Sequence, residues 1–190
     1  TVAERDLERA KKMVGDLPNT TITYLDVTER EKLSVLIDKA NLVISMLPAF
    51  MHLPIAEVCV RLGKTLLTAS YVSPEINALH NESLQKDILI MMECGLDPGI
   101  DHMSAMQEIN EIKDKGGDIT LFKSYTGGLI APESDDNPWG YKITWNPRNV
   151  VLAGKGGVKF IRNGQYKHIP YHNLFNRTEV VSIDDHGDFE

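Results

Sequence analysis

Along residues 1–102, short apolar runs alternate with stretches in which apolar side chains recur every three or four positions, the pattern of strand followed by helix. Thr1-Val2-Ala3 reads as a strand, residues 5–14 as a helix closed by Gly15, and residues 21–26 as a second strand. Thr28-Glu29-Arg30-Glu31 has the form of a capping box, and Leu33, Leu36, Ile37 and Ala40 extend it as one helical face. Residues 42–47 are a continuous apolar strand ended by Pro48, as expected where both faces of a parallel strand are covered. Residues 52–62 read as a helix ended by Gly63, and residues 65–68 as a strand. Ser73-Pro74-Glu75 supplies the cap, first position and acidic first turn of a further helix. A fifth strand, residues 88–92, then leads through Glu93-Cys94-Gly95-Leu96-Asp97-Pro98-Gly99-Ile100 into a helix with Asp101 as candidate cap. That helix carries Met103, Met106, Ile109 and Ile112 and stops at Gly116.

Repeated β-α-β with short connections predicts an α/β fold, a doubly wound parallel sheet of the Rossmann type, over residues 1–102. Thr1-Val2-Ala3 has the look of a strand's end, so the first βα unit and its glycine-rich turn are expected before residue 1. Beyond the Asp101 helix the texture changes. Residues 118–125 form a strand pattern, and Asn163-Gly164 between alternating flanks in residues 158–169 is a hairpin signal. Residues 178–183 are another strand candidate. The reading is a second, α+β domain over residues 103–190 with an antiparallel or mixed sheet, expected to be incomplete.

Bulk composition narrows the function. With 42% apolar and 25% charged residues among 190, the chain is ordinary globular material. A net charge of −7 with no clustered Lys or Arg argues against nucleic acid and anionic membranes as partners. No apolar run approaches the roughly 20 residues of a membrane span. Cys59 and Cys94 form neither a disulfide framework nor a paired zinc spacing, and imply a reducing, cytoplasmic setting. His80, His168, His172 and His186 have no metal-ligand spacing with acids, so no metal is assigned.

Doubly wound sheets bind ligands at the carboxyl ends of their strands, which directs attention to the residues there. Glu4-Arg5-Asp6 ends the first strand. An acid there suits the ribose of NAD and an arginine the 2′-phosphate of NADP, so the choice between cofactors stays open. Asp26-Val27 would lie beside adenine, and Met46-Leu47-Pro48 near ribose or nicotinamide. Thr68-Ala69-Ser70-Tyr71 ends the fourth strand with a hydroxyl and a phenol suited to a carboxylate or amine, although Ser70 would equally serve as a turn cap. Asp97 follows the fifth strand and would face a cationic amino substrate, while Pro98 and Gly99 allow close packing of backbone and cofactor. The plain alternative is that Glu4, Arg5 and Asp6 are a solvated helix entry, Asp26 a turn residue and the Asp97 loop a helix start. His102 reads as a packed or solvent-facing side chain and Cys94 as a core residue, both weaker candidates than Asp97.

Thr68-Ala69-Ser70-Tyr71, the run from Gly95 to Met103, Ser124-Tyr125-Thr126-Gly127-Gly128-Leu129 with Ala131-Pro132-Glu133, and Asn137-Pro138, Tyr141-Lys142, Trp145 and Pro147 together resemble the saccharopine dehydrogenase (glutamate-forming) family. The resemblance spans essentially the whole chain. It implies a Rossmann domain, a second α+β domain, and a homodimeric enzyme. The reaction implied is NAD(P)-linked oxidation of saccharopine to L-glutamate and 2-aminoadipate 6-semialdehyde, in lysine metabolism. Cofactor contacts carry over to Arg5, Asp26, Val27, Ile44, Ala69, Ser70, Leu96, Asp97 and Pro98, beside Glu4 from the strand-end pattern. Substrate contacts carry over to Ser70, Tyr71, Asp97 and Thr126, with Asp97 the first candidate for contacting the reacting amine. Glu4 stands where the family has Ser or Cys, Thr126 where Cys is usual, and Ile130 where Pro is usual. The family's substrate arginine lies in a Tyr-Pro-Asn-Arg-Asp type run that has no match in this chain. Two competing readings are a related amine oxidoreductase such as carboxynorspermidine dehydrogenase, and a catalytically silent paralogue that binds nucleotide or a partner. Ser70, Tyr71 and Asp97 together favour the enzyme.

Overall fold

A computed structural model describes residues 1–128, 130–144, 148, 154–176, 178–183 and 187–189. The chain divides into two compact units, Thr1–Thr126 and Gly127–Glu190.

In the first unit, strand β1 (Val2–Glu4) pairs parallel with β2 (Ile22–Tyr24), and α1 (Leu7–Val14) connects them. Asp6 caps α1 by accepting the Arg9 N–H at 3.0 Å. A second parallel ladder runs β3 (Leu42–Ser45), β4 (Thr65–Thr68) and β5 (Ile90–Met91), with Ser45 level with Thr68 and Leu67 level with Met91. The parallel strands with intervening helices are thus observed, but as two sheet pieces with no ladder between them among the described residues. Helices α2 (Arg30–Asp38), α3 (His52–Leu62) and the short α4 (Pro74–Asn77) cover the β3–β5 sheet. Their apolar faces meet in one cluster built from Leu33, Ile37, Ile55, Cys59, Leu66 and Ile76 with others beside them. Leu66 lies wholly buried at the centre of this sheet, where truncation to Ala costs about 2–5 kcal/mol. Burial pushes the Cys59 thiol up to about 11, which makes it an inert packing group. Gly63, in the left-handed region, closes α3 as its position in the sequence predicts.

Several local expectations resolve differently. The capping box at Thr28 does not form. Asp26 takes both the Thr28 hydroxyl at 2.7 Å and its N–H at 2.9 Å, and Glu29 becomes the cap position without a side-chain bond. Strand β3 is covered on one face only. Val43 and Ser45 turn toward α3, whereas Ile44 is 63% exposed on the face that no described element covers. Ser73 does cap α4, through the Ile76 N–H, but the helix breaks after Asn77 and restarts as α5 (His80–Gln85). Cys94 is exposed rather than in the core, because it falls past the end of β5. Residues 118–125 form no strand: Leu121 and Phe122 stay exposed, so this stretch lacks the covered face that stabilises a ladder.

Helix α6 (Ile100–Asp114) and the segment after it fall within the first compact unit. The second unit is built on antiparallel pairs. Strands β6 (Val158–Arg162) and β7 (Gln165–Ile169) form the hairpin expected from Asn163-Gly164, and both turn residues have positive φ, 54° and 72°, as a type I′ turn requires. Strand β8 (Val181–Ile183) pairs with β9 (Gly187–Phe189). Asn137 bonds the Tyr141 carbonyl and the Trp139 N–H, tying that loop together, while Trp139 itself is open to solvent. Leu129, Trp145, Pro147 and His186 lie outside the described residues.

Candidate functional site

Two strand ends collect the polar residues of the first unit. At the β1–β2 end the carboxylate of Glu4 turns back on its own backbone and accepts the N–H groups of Arg5 at 2.7 Å and Asp6 at 3.3 Å. Asp26, ending the neighbouring strand, is likewise engaged by Thr28, and those hydrogen bonds together with the Arg5 charge hold its carboxyl below the usual range. The Arg5 guanidinium reaches Asp26 only at 3.9 Å and is 75% exposed, so it stands at the strand end as an accessible cation. Val27 packs against the core beside them.

The second strand end belongs to β4 and β5. Backbone hydrogen bonds continue past both strands, with Cys94 N–H donating to the Thr68 carbonyl and Glu93 N–H to the Ser70 carbonyl, each at 3.0 Å. The segment carrying Ala69, Ser70 and Tyr71 therefore runs alongside the one carrying Cys94 to Asp97. Gly95 permits this approach, since a Cβ there would lie 3.2 Å from that of Ala69. The loop then folds tightly on itself. Asp97–Pro98 is cis, Gly95 N–H donates to the Pro98 carbonyl at 2.9 Å, and Gly99 sits at φ 149°. Any Cβ on Gly99 would stand 2.2 Å from the Gly95 carbonyl oxygen, so only glycine fits.

This folding sets Asp97 against Tyr71. The phenol donates to Asp97 Oδ1 at 2.8 Å, and that bond, with burial and the nearby carboxylates of Asp97, Asp101 and Glu93, pushes the phenol up to about 12. Tyr71 is accordingly a hydrogen donor at neutral pH and not a base. Glu93 holds the Val72 N–H at 3.1 Å and steadies the same turn. Asp101 is not the cap of α6, a position that falls on Gly99. Its carboxylate instead accepts the Gly99 N–H at 3.0 Å and the His102 ring nitrogen at 2.7 Å. Burial raises the Asp101 carboxyl, but these bonds outweigh it and hold it low, while Asp101 raises His102. Asp97, Asp101 and His102 each bring a potential metal-ligand atom within 4.8 Å of one another, in an exposed group that carries no metal assignment by itself.

The structure thus brings Ser70, Tyr71 and Asp97 to one place, with Ala69, Leu96 and Pro98 around them and Ile44 on β3 of the same sheet. Thr126 is exposed at the end of the first unit. One residue of this site carries no motif in the sequence. His52, at the start of α3 and 1% exposed, bonds Ser45, Thr68 and Ser70 through its ring.

Parallel strands whose carboxyl ends present an exposed arginine at one place and an oriented carboxylate at another make this a Rossmann-type dinucleotide-binding protein with an added α+β part. Residues 1–91 match the saccharopine dehydrogenase NADP-binding domain, and residues 95–190 the saccharopine dehydrogenase C-terminal domain. The chain belongs to the saccharopine dehydrogenase family. It is 41% identical over 169 residues, 89% of the chain, to the saccharopine dehydrogenase [NADP(+), L-glutamate-forming] of Pyricularia oryzae. It is 40% identical over 92% of its length to the alpha-aminoadipic semialdehyde synthase of Arabidopsis thaliana. A solved structure, apo histidine-tagged saccharopine dehydrogenase (L-Glu forming) from Saccharomyces cerevisiae, is similar over 97% of the chain, with TM-score 0.83 and 34% identity. The chain spans 38% of the Pyricularia relative, 16% of the Arabidopsis relative and 41% of the solved chain. No helix among the described residues is long and apolar enough to cross a membrane.

Proposed function

We propose that the full-length protein oxidises saccharopine with NADP or NAD to L-glutamate and 2-aminoadipate 6-semialdehyde. The observation that carries this reading is the Tyr71–Asp97 pair at the joined ends of β4 and β5, in a chain whose two parts match the two domains of one family. We assign residues 1–102 to dinucleotide binding and residues 103–190 to substrate binding and dimerisation.

The residues fit a dinucleotide. Arg5 offers its cation to a 2′-phosphate, and Glu4, engaged with the backbone, shapes the turn that presents it. Asp26 and Val27 would flank the adenosine, and Ile44, Ala69, Ser70, Leu96, Asp97 and Pro98 the remainder. Gly95 and Gly99 let the loop fold tightly enough on itself to present Leu96, Asp97 and Pro98 there. When bound, the cofactor supplies the hydride acceptor.

The reaction removes a hydride from the carbon that becomes the aldehyde and a proton from the adjoining nitrogen. Water then adds to the resulting C=N bond, and the C–N bond breaks to free the amino group with glutamate. Asp97 faces the amine: Tyr71 fixes one carboxylate oxygen, leaving the other to accept an N–H and to oppose the positive charge. Ser70 and Thr126 supply further hydroxyls to the substrate. The exposed Cys94 and buried Cys59 are both free thiols, in keeping with a reducing, cytoplasmic location, and we take the working state to be a homodimer. Relatives in cattle and rat are named as mitochondrial, so fractionation decides the location and light scattering the oligomeric state.

The test is direct. Intact protein given saccharopine with NAD and with NADP separately is expected to form reduced cofactor, measured by absorbance, together with glutamate. Failure to reduce either cofactor would sink the assignment.

A further inference from the structure

A backbone hydrogen bond just past the end of β4 ties down the backbone of Ser70 but not its side chain. Its carbonyl is held by the Glu93 N–H, while the hydroxyl can occupy three staggered rotamers and point its hydrogen in several directions. What holds the hydroxyl is His52. Its Nε2 lies 2.8 Å from Ser70 Oγ and 3.0 Å from Thr68 Oγ1, and its Nδ1 lies 2.9 Å from Ser45 Oγ. Ser45 and Thr68 are themselves buried, at 5% and 2% exposure, and stand level with one another on β3 and β4.

We propose that His52 is a positioning residue for the reaction: a neutral imidazole, clamped between β3 and β4, that fixes both the rotamer of Ser70 and whether Ser70 meets the substrate as donor or acceptor. The inference rests on the assignment of Ser70 to the saccharopine site. A neutral imidazole carries one N–H and one lone pair. With the hydrogen on Nδ1, the ring donates to Ser45 and Nε2 accepts the Ser70 hydrogen, which leaves the Ser70 oxygen to accept from an amine. With the hydrogen on Nε2, the ring donates to Ser70 and Ser70 keeps its own hydrogen for a carboxylate. Ser45 and Thr68 select between these two states, so the polarity of the site is set by groups that no ligand touches. Burial depresses the ring's proton affinity, and all its bonded partners are neutral hydroxyls, which keeps the imidazole uncharged. That also separates His52 from a general base: it orients and does not collect the proton.

A buried histidine bridging two strands would stabilise the sheet whether or not it mattered to substrate, so the test must separate the two roles. In the full-length protein, His52→Gln places its amide near the position of Nε2 and keeps a partner for Ser70. His52→Asn places its amide near Nδ1, keeping Ser45 and abandoning Ser70. Both variants should melt at lower temperature. His52→Asn should lose roughly 10-fold in kcat/KM for saccharopine while His52→Gln stays within about 3-fold of wild type. In a Ser70→Ala background the Asn substitution should have no further effect on kcat/KM. Equal losses in the two variants, or an Asn effect undiminished by Ser70→Ala, would overturn the inference while leaving an active wild type and the saccharopine assignment intact. A wild type that reduces no cofactor overturns the assignment, and this inference with it. If His52→Asn does not fold, Ser45→Ala serves, since it frees Nδ1 and leaves the ring in place. It should lower kcat/KM by about 2-fold or more, an effect absent with Ser70→Ala, and an unchanged kcat/KM would overturn the inference.

Discussion

The two polar strand ends of the first unit are made from similar residues and present opposite charges. At the β1–β2 end, three carboxylates are available and all are engaged, Glu4 by its own backbone, Asp6 by the Arg9 N–H and Asp26 by Thr28, so the group left facing solvent is the Arg5 cation. At the β4–β5 end, a single phenol holds one oxygen of Asp97 and the anion faces outward. A count of acids and bases would not distinguish these ends. What separates them is which side chains the local structure captures, and the result suits the proposed division between a cofactor phosphate at one end and a substrate amine at the other.

The largest expected effect breaks the second end. Asp97→Ala should lower kcat/KM for saccharopine by roughly 10²-fold or more, the scale of a group that meets the reacting nitrogen. Cofactor Kd, followed by fluorescence of the reduced dinucleotide, should move by less than about 3-fold. An equal loss in cofactor affinity would mean that the two ends do not divide the ligands as argued. At the first end, Arg5→Ala should weaken NADP by roughly 10-fold, as expected for a charge-assisted bond to phosphate, and leave NAD nearly unchanged. Equal effects on both cofactors would remove the 2′-phosphate from Arg5.

A smaller effect tests how Asp97 is held. Tyr71→Phe removes one hydrogen bond and should reduce kcat/KM by roughly 3- to 10-fold. With the phenol pushed up to about 12, Tyr71 stays protonated throughout the working range, so wild type and variant should show the same pH profile below about pH 10. A limb of the profile that vanishes with the phenol would instead make Tyr71 the titrating group.

How far the sequence foretold this arrangement depends on whether a feature is decided locally. The Asn163-Gly164 turn, the Ser73 cap and the Gly63 stop were legible because each needs only its neighbours. Ser70, Tyr71 and Asp97 were legible as neighbours because strand ends in a parallel sheet converge. Thr28 failed as a capping box because Asp26, two residues earlier, competes for the same hydroxyl and N–H, and spacing alone does not say which bond wins. His52 was illegible for another reason. It lies 18 residues from Ser70, and their contact exists only once the first turn of α3 folds over the ends of β3 and β4. A histidine opening an apolar helix reads as packing until that register is known.

The smallest expected effect concerns another carboxylate of the β4–β5 end, Asp101, which sharpens the contrast with Asp97. Asp101 is engaged where Asp97 is open: it holds the Gly99 N–H and the His102 ring, and so fastens the turn that presents its neighbour. Asp101 raises His102, so the folded protein binds that proton more tightly than the unfolded chain does. The stabilisation is fully present below the unfolded value near 6.5 and is lost as pH rises through the higher folded value. Asp101 shifts the other way, and its contribution fades only as pH falls through its depressed value. Between these limits, at pH 5 to 6, the pair is ionised and His102→Gln should lower the melting temperature slightly, whereas at pH 9 wild type and variant should melt together. Because the His102 side chain is largely accessible, added salt should shrink the difference at the lower pH. A difference that persists at pH 9 and in high salt would mean that His102 holds the turn by packing, and that Asp101 contributes to the β4–β5 end through its bond to Gly99 alone.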